Sequence, residues 1–90
     1  VRKVSEISGV SEQDIVGKSR KMEIAEARQV SMFLSREILG RSLSGIGVFF
    51  GGRDHTTVMH AVKTISDKID SNQKMKDSVN TLRSDLNQNF

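Results

Sequence analysis

A chain of 90 residues is long enough for one small domain with its own core and too short for two. Its 36% hydrophobic and 28% charged residues are typical of a globular protein, and no apolar run approaches the roughly 18 residues that predict a membrane span. The absence of cysteine excludes disulfides and cysteine-based zinc fingers, and a net charge of +3 permits nucleic-acid binding without establishing it. Because the chain begins with Val1 rather than Met, we expect a fragment of a longer protein.

Two short helices are predicted at the start of the chain. Apolar residues at helical spacing would form the inner face of the first, namely Val1, Val4 and Ile7. Gly9 would end this helix, Ser11 would cap the second and Gly17 would close it. Residues 18–21 (KSRK) then carry three positive charges in four positions, which indicates a basic loop.

A long helix is predicted over residues 22–39. Its buried stripe would consist of Ile24, Ala27, Val30, Ser31, Leu34 and Ile38, which recur at spacings of three and four. Arg28, Gln29 and Arg36 would lie away from the centre of this stripe. Gly40 is the expected left-handed stop.

Three further helices are predicted after this stop. Ser42 would cap a brief helix that ends at Phe50 and buries Leu43, Ile46 and one or both of Phe49 and Phe50. Residues 51–52 (GG) would make a tight break, a helix would begin near Asp54, and the last helix would cover residues 74–87. Since proline is absent and aromatic residues are 4% of the chain, strands have little support. The prediction is an all-α, compact bundle of about six helices, forming a single domain over residues 1–90.

A short helix, a glycine-containing turn and an amphipathic helix together form the helix-turn-helix pattern. The first turn of its second helix would expose four residues that carry hydrogen-bonding groups: Asp54, His55, Thr56 and Thr57. Polar side chains at such a helix start are suited to reading base edges in the major groove, and the positive end of the helix favours a nearby phosphate. The pattern therefore indicates a DNA-binding domain.

Simpler interpretations remain open for the same residues. An aspartate and two threonines at a helix start are good capping residues, and a basic cluster is often only a solvated surface. His55 and His60 are five positions apart, which is about 140° around a helix, so no shared metal site is expected. A nucleophile–base pair of Thr56 or Thr57 with His55 has no plausible third member, and the chain contains no phosphate-binding loop motif. The domain is therefore not expected to be an enzyme.

Residues 51–61 (GGRDHTTVMHA) closely resemble the signature of the DnaA family of bacterial chromosomal replication initiators, in its C-terminal DNA-binding domain (domain IV). The resemblance extends to other segments: residues 15–20 match the family's basic loop, residues 27–29 the start of its long helix, and residues 42–50 its first helix-turn-helix element. Order and spacing agree over about three quarters of the chain. The resemblance implies a Trp-repressor-like helix-turn-helix fold.

The resemblance also implies a role for each matching position. Asp54, His55 and Thr56 would meet base edges in the major groove, and Thr57 would meet a base or a phosphate. Arg20 would reach into the adjacent minor groove, where an A/T-rich stretch is narrow and strongly negative. Phosphate contacts that set the register would come from Lys18, Lys21, Arg28, Gln29, Arg36, the Leu43 backbone amide, Ser44, His60 and Lys63. Arg53 would organise the turn rather than read a base.

Three positions depart from the family's pattern. Ser44 stands where proline is frequent, which puts an apolar base contact in doubt and leaves a serine that can bond a phosphate. Gly45 stands where glutamate is common, at a helix-propensity cost of roughly 1 kcal/mol. Met22 replaces a frequent arginine of the basic loop, so one backbone contact would be missing. We expect the same class of DNA site, bound somewhat more weakly.

The function implied is sequence-specific binding of double-stranded DNA at the DnaA box, a short asymmetric repeat of the replication origin. The domain would act as a monomer and hold no cofactor, while the longer protein would bind ATP and Mg²⁺ on an upstream AAA+ module and oligomerise on the origin. It would work in the bacterial cytoplasm, associated with the nucleoid. The alternatives are a repressor domain that dimerises on a palindrome, a protein-interaction module that uses the last helix, and a small hydrolase that uses His55.

Overall fold

The computed structural model describes residues 1–88, of which 87 and 88 are described for the backbone alone, and this part of the chain contains helices and no strand. The elements are α1 (Arg2–Ser8), α2 (Glu12–Val16), α3 (Met22–Glu37), α4 (Leu43–Phe49), α5 (His55–Ser71) and α6 (Gln73–Gln88). The prediction of an all-α bundle of about six helices with a helix-turn-helix is confirmed. No helix of the described residues is both long and apolar enough to cross a membrane.

Local side-chain bonds explain where the helices begin. The Ser11 hydroxyl accepts from the Asp14 backbone N–H at 3.1 Å, and the Ser42 hydroxyl accepts from the Gly45 N–H at 3.0 Å. These bonds satisfy N–H groups that have no acceptor within the first helical turn. Both predicted caps are confirmed.

The end of α3 lies slightly earlier than predicted. The Leu34 carbonyl accepts from the N–H groups of both Ile38 and Leu39, at 2.9 and 3.3 Å, and the second bond is one residue longer than a regular helical bond. The regular α-helix therefore ends at Glu37. Gly40 then takes a left-handed conformation with φ of 65°, as predicted.

The core is organised around α3, which packs against α1, α2, α4 and α5, while α6 covers α5 and α1. The largest fully buried side chains come from several helices and the turn: Phe50, Ile15, Met32, Ile65, Val58 and Val79. The single buried stripe predicted for α3 is too narrow, because Met32 and Phe33 are buried as well. A helix that is surrounded on several sides buries more than one face.

One predicted core position is corrected by the structure, and one that the sequence left open is resolved. Ile7 was expected on the inner face of the first helix, but α1 is a seven-residue helix at the edge of the bundle and Ile7 is 47% exposed. Of the two phenylalanines at the end of α4, Phe50 is 1% exposed and Phe49 is 62% exposed. Phe50 follows the last residue of α4 and turns into the core, whereas Phe49 leaves the helix on its solvent side.

Candidate nucleic-acid interface

Helices α4 and α5 form the helix-turn-helix, and residues 50–54 connect them. The Gly47 carbonyl accepts from the N–H groups of Gly52 and Arg53, at 3.0 and 2.9 Å. A Cβ atom at position 47 would lie 2.0 Å from the Arg53 carbonyl oxygen, so the turn folds directly onto a glycine in the middle of α4. Gly51 and Gly52 have φ of 86° and 79°, a region that side-chain-bearing residues rarely adopt.

The first turn of α5 presents the four residues predicted to read DNA. Asp54 is the N-cap, and its Oδ1 accepts from the Thr56 backbone N–H at 2.6 Å, which confirms capping by this residue. This hydrogen bond holds the pKa of the Asp54 carboxyl below its usual range. Asp54, His55, Thr56 and Thr57 are all exposed, whereas the next residue, Val58, is fully buried. The four polar side chains therefore project from a helix that is anchored in the core directly behind them.

The basic loop, defined as residues 18–21, lies beside the turn. Lys18 and Arg20 line one shallow surface depression together with Arg28, Gly51 and Arg53. No acidic side chain lines this depression, so its charge is uniformly positive. Lys21 is exposed but does not line it, and Met22 is 83% exposed at the start of α3.

Arg28 lies in the protein interior rather than away from the buried stripe, so that interpretation is wrong. The residue is 7% exposed, and its guanidinium donates to the carbonyls of Ile15, Ser19 and Asp14 at 2.7, 3.0 and 3.0 Å. Burial, and secondarily the neighbouring Arg53, lowers its pKa. The guanidinium has five N–H groups, and three serve these carbonyls. The phosphate contact of Arg28 stays a prediction. Its hydrogen bonds to the three carbonyls are a structural role that the sequence did not indicate.

Arg53 organises the turn, as predicted. Its Nη1 donates to the Phe50 carbonyl at the end of α4, and its Nη2 donates to the Gly17 carbonyl at 2.7 Å. Because Gly17 immediately precedes the basic loop, the same guanidinium also reaches the loop that carries Arg20.

A second depression gathers several of the predicted phosphate contacts. Its lining includes Arg36, Leu43, Thr56, His60 and Lys63. Leu43 is the first residue of α4, where the backbone N–H has no acceptor within the helix. The two positively charged side chains in this depression, Arg36 and Lys63, already make contacts within the protein.

Arg36 Nη1 donates to the Arg41 carbonyl at 3.1 Å, and Lys63 Nζ lies 3.5 Å from Asp67 Oδ2. Both contacts are exposed, so a phosphate can compete for these side chains.

Three predicted phosphate contacts lie outside both depressions: Lys21, Gln29 and Ser44. Gln29 is half-buried on α3, and Ser44 is exposed on α4. The structure therefore brings two depressions against the start of α5, one uniformly positive and one in which the cations Arg36 and Lys63 lie beside the carboxylates of Glu37 and Asp67. One contains Arg53, just before the helix, and the other contains Thr56 and His60, within its first two turns.

The sequence prediction missed the structural importance of Gly47. A glycine inside a seven-residue helix costs helix propensity, and this unfavourable choice was the available signal of a close backbone approach. It also gave no prediction for Met59, which is 50% exposed and lines the second depression beside Thr56. Within residues 1–88, no three His, Asp or Glu side chains are grouped so that they could hold a metal ion.

Residues 1–65 match a protein family described as the bacterial dnaA protein helix-turn-helix. Chromosomal replication initiator protein DnaA from Lactococcus lactis subsp. cremoris is 49% identical over 74 residues, which are 82% of this chain and 16% of that protein. DnaA from Bifidobacterium animalis subsp. lactis is 43% identical over 90 residues, which are 100% of this chain and 15% of that protein. DnaA from Thermus thermophilus is 39% identical over 83 residues, which are 92% of this chain and 19% of that protein.

The chain spans less than a fifth of the length of these relatives. The family match covers α1 to α4 and most of α5, which includes the basic loop, Gly47 and the exposed first turn of the second helix. Since the match extends over most of the chain and the predicted helix-turn-helix is present, the chain belongs to the bacterial DnaA family, as its C-terminal helix-turn-helix DNA-binding domain.

Proposed function

We propose that this domain binds the DnaA box at the bacterial replication origin and selects it by direct contacts to bases. The observation that carries the proposal is the first turn of α5, where four exposed polar side chains adjoin one uniformly positive depression and a second depression that contains Arg36 and Lys63. Asp54 can accept from a cytosine amino group, and threonine and histidine can approach a thymine methyl or a purine acceptor. Arg20 contacts the neighbouring minor groove, where an A/T-rich flank is strongly negative.

Phosphate contacts supply attraction and register in this proposal. These contacts come from Lys18 and Lys21 of the basic loop, from Arg28, Gln29 and Arg36 on α3, from the Leu43 backbone amide and Ser44 on α4, and from His60 and Lys63 on α5. If about six phosphates are neutralised, the logarithm of the binding constant falls with the logarithm of salt concentration at a slope of roughly −5. Such contacts are independent of sequence, so they act equally on a DnaA box and on a scrambled duplex.

The test is a titration of the domain against a DnaA-box duplex and a scrambled duplex, each at two salt concentrations. His55→Ala and Thr56→Ala should each reduce the preference for the box by about 5- to 150-fold, because one good base contact gives roughly 1–3 kcal/mol of discrimination. Thr81→Ala is the matched control, since Thr81 is an exposed threonine on α6, outside the helix-turn-helix. Binding to the scrambled duplex should remain weak, salt-dependent and unchanged.

The outcome distinguishes the proposal from its rivals. Equal weakening on both duplexes would remove His55 and Thr56 from base reading. Equal affinity of the unsubstituted domain for both duplexes, lost together at high salt, would leave a merely basic helical domain. A mass that doubles with concentration and a preference for inverted repeats would instead favour a dimeric repressor.

We extend the proposal to the longer protein by its resemblance to the DnaA family. It would carry an AAA+ module that binds ATP and Mg²⁺, assemble on origin repeats and open the duplex in the bacterial cytoplasm. The described residues would contribute recognition rather than catalysis. A single domain of this kind reads an asymmetric site with one helix and one loop, so no two-fold symmetry is needed.

A further inference from the structure

Two arginines from separate elements hold the basic loop by its backbone. Arg53, in the turn of the helix-turn-helix, donates to the Gly17 carbonyl at 2.7 Å across 36 positions of sequence. Arg28, on α3, donates to the Ser19 carbonyl at 3.0 Å. Gly17 and Ser19 flank Lys18, and Ser19 directly precedes Arg20, so the path of the backbone is fixed immediately before the exposed arginine.

The acceptors in this arrangement are carbonyls rather than carboxylates. Ile15, whose carbonyl also accepts from Arg28, lies near the end of α2, where its carbonyl has no N–H donor within the helix. The Asp14 carbonyl accepts both from Arg28 and from the Gly17 N–H, at 3.0 and 3.1 Å. The ion pairs of residues 1–88 include neither Arg28 nor Arg53. A guanidinium suits this task because its planar fork can bond two carbonyls in fixed directions.

The turn and the loop also touch through the backbone. A Cβ atom on Gly51 would lie 3.5 Å from the Val16 carbonyl oxygen and 3.5 Å from Arg53 Nη1. The turn therefore rests on the last residue of α2 without an intervening side chain. Arg53 lies between this contact and Asp54, the first of the four residues at the start of α5.

We propose that Arg53 is a positioning residue that fixes the spacing between Arg20 and the first turn of α5, so that minor-groove and major-groove recognition form one rigid unit. This inference rests on the proposed function and adds to it a requirement for one spacing between the A/T-rich flank and the box. Without the Arg53–Gly17 bond, Arg28 still holds the Ser19 carbonyl, but the link between the loop and the turn is lost. The position of the loop relative to α5 must then be fixed when DNA binds, and the cost of fixing it opposes the flank contact. Box reading by α5 itself does not depend on that bond.

The test measures affinity for three duplexes: a box with its A/T-rich flank, a box with a scrambled flank, and a box separated from the flank by one inserted base pair. The unsubstituted chain should lose about tenfold in affinity on either change, which corresponds to one contact of ordinary strength. Arg53→Gln should reduce both losses to roughly twofold while it keeps the preference for the box over a scrambled box within about threefold. Arg83→Gln, at an exposed arginine on α6, is the matched control and should behave as the unsubstituted chain.

A double-mutant cycle separates positioning from direct contact. If Arg53 acts through the loop, Arg53→Gln should cost less than about twofold once Arg20→Ala is present, because coupled residues are not additive. Relaxation of the backbone amides of residues 18–21 should show faster motion in Arg53→Gln. If that variant loses its helical circular dichroism, Arg53→Lys is the second variant, because it keeps the positive charge but lacks the planar guanidinium. It should show the same changes in flank and spacing dependence, but smaller ones.

Several results would overturn the inference. A flank dependence that is unchanged in Arg53→Gln would show that the loop keeps its position without this bond. Equal losses from Arg53→Gln with and without Arg20 would show that Arg53 meets DNA directly. A failure of the unsubstituted chain to prefer the box is a different result, which rejects the proposed function, whereas box preference without spacing dependence rejects the positioning role alone.

Discussion

Replacing Gly47 with alanine adds one methyl group where the turn of the helix-turn-helix crosses α4. The added Cβ would lie 2.0 Å from the Arg53 carbonyl oxygen and 3.1 Å from its carbonyl carbon. Both are backbone atoms, so no side-chain rotation can relieve the overlap. The turn must move by about 1 Å to restore ordinary contact distances.

The expected loss of stability follows from three contributions. Overpacking at a rigid site costs about 1–3 kcal/mol. Movement of the turn also weakens the two hydrogen bonds to the Gly47 carbonyl, each of which contributes about 1 kcal/mol. Alanine regains about 1 kcal/mol of helix propensity. The net destabilisation is about 2–4 kcal/mol, a large part of the roughly 5–15 kcal/mol that stabilises a domain of this kind.

Thermal and urea unfolding, followed by circular dichroism, measure this loss. For a domain of this size, we expect the melting temperature to fall by roughly 10–30 °C. Gly45→Ala is the matched control on the same helix, since its Cβ would meet only the Ser42 hydroxyl, at 2.9 Å, and no backbone atom. The gain in helix propensity offsets any weakening of the Ser42 cap. We expect the control to change stability by less than about 1 kcal/mol. If Gly47→Ala were as stable as Gly45→Ala, the close approach of the turn to α4 would be refuted.

Two further measurements test individual interactions. The hydrogen bond from the Thr56 N–H lowers the pKa of the Asp54 carboxyl, so the ionised carboxylate stabilises the folded domain. This stabilisation is fully present above the ordinary pKa of 3.8 and is lost as pH falls through the lower pKa of the folded state. Unfolding at pH 7, 4 and 2 should therefore show a larger decline for the unsubstituted chain than for Asp54→Asn, and parallel declines would contradict the assignment. Glu26→Gln removes a 3.0 Å ion pair with Lys68 whose side chains are 45% and 40% exposed, and it should cost less than about 1 kcal/mol. That cost should shrink in about 1 M salt, and a larger, salt-independent loss would indicate a role beyond the ion pair.

The boundaries of the helices were predictable because their causes are local. Ser42 accepts from a backbone N–H three residues along the chain, and Gly40 adopts its left-handed conformation through its own lack of a side chain. The first turn of α5 was predictable for the same reason, since Asp54 caps the helix that exposes the following three residues. These features depend on neighbours within a few positions.

Positions that depend on distant partners were not predictable in this way. Helical spacing placed Arg28 outside the buried stripe, but the carbonyls that bury it come from residues 9 to 14 positions away. Spacing also could not choose between Phe49 and Phe50, because the choice depends on how α4 is rotated against α5.

The amino-acid sequence by itself determined the number of helices, their caps and the polar turn that would read DNA, since each rests on hydrogen bonds and steric limits within one or two helical turns. Only the tertiary structure decided that Gly47 has to be a glycine and that Arg53 joins the turn to the basic loop. These two facts concern contacts between segments that are brought together by burial of a common core. The order of residues gives no distances between such segments, so the distance between the basic loop and the first turn of α5 could be known only from the fold.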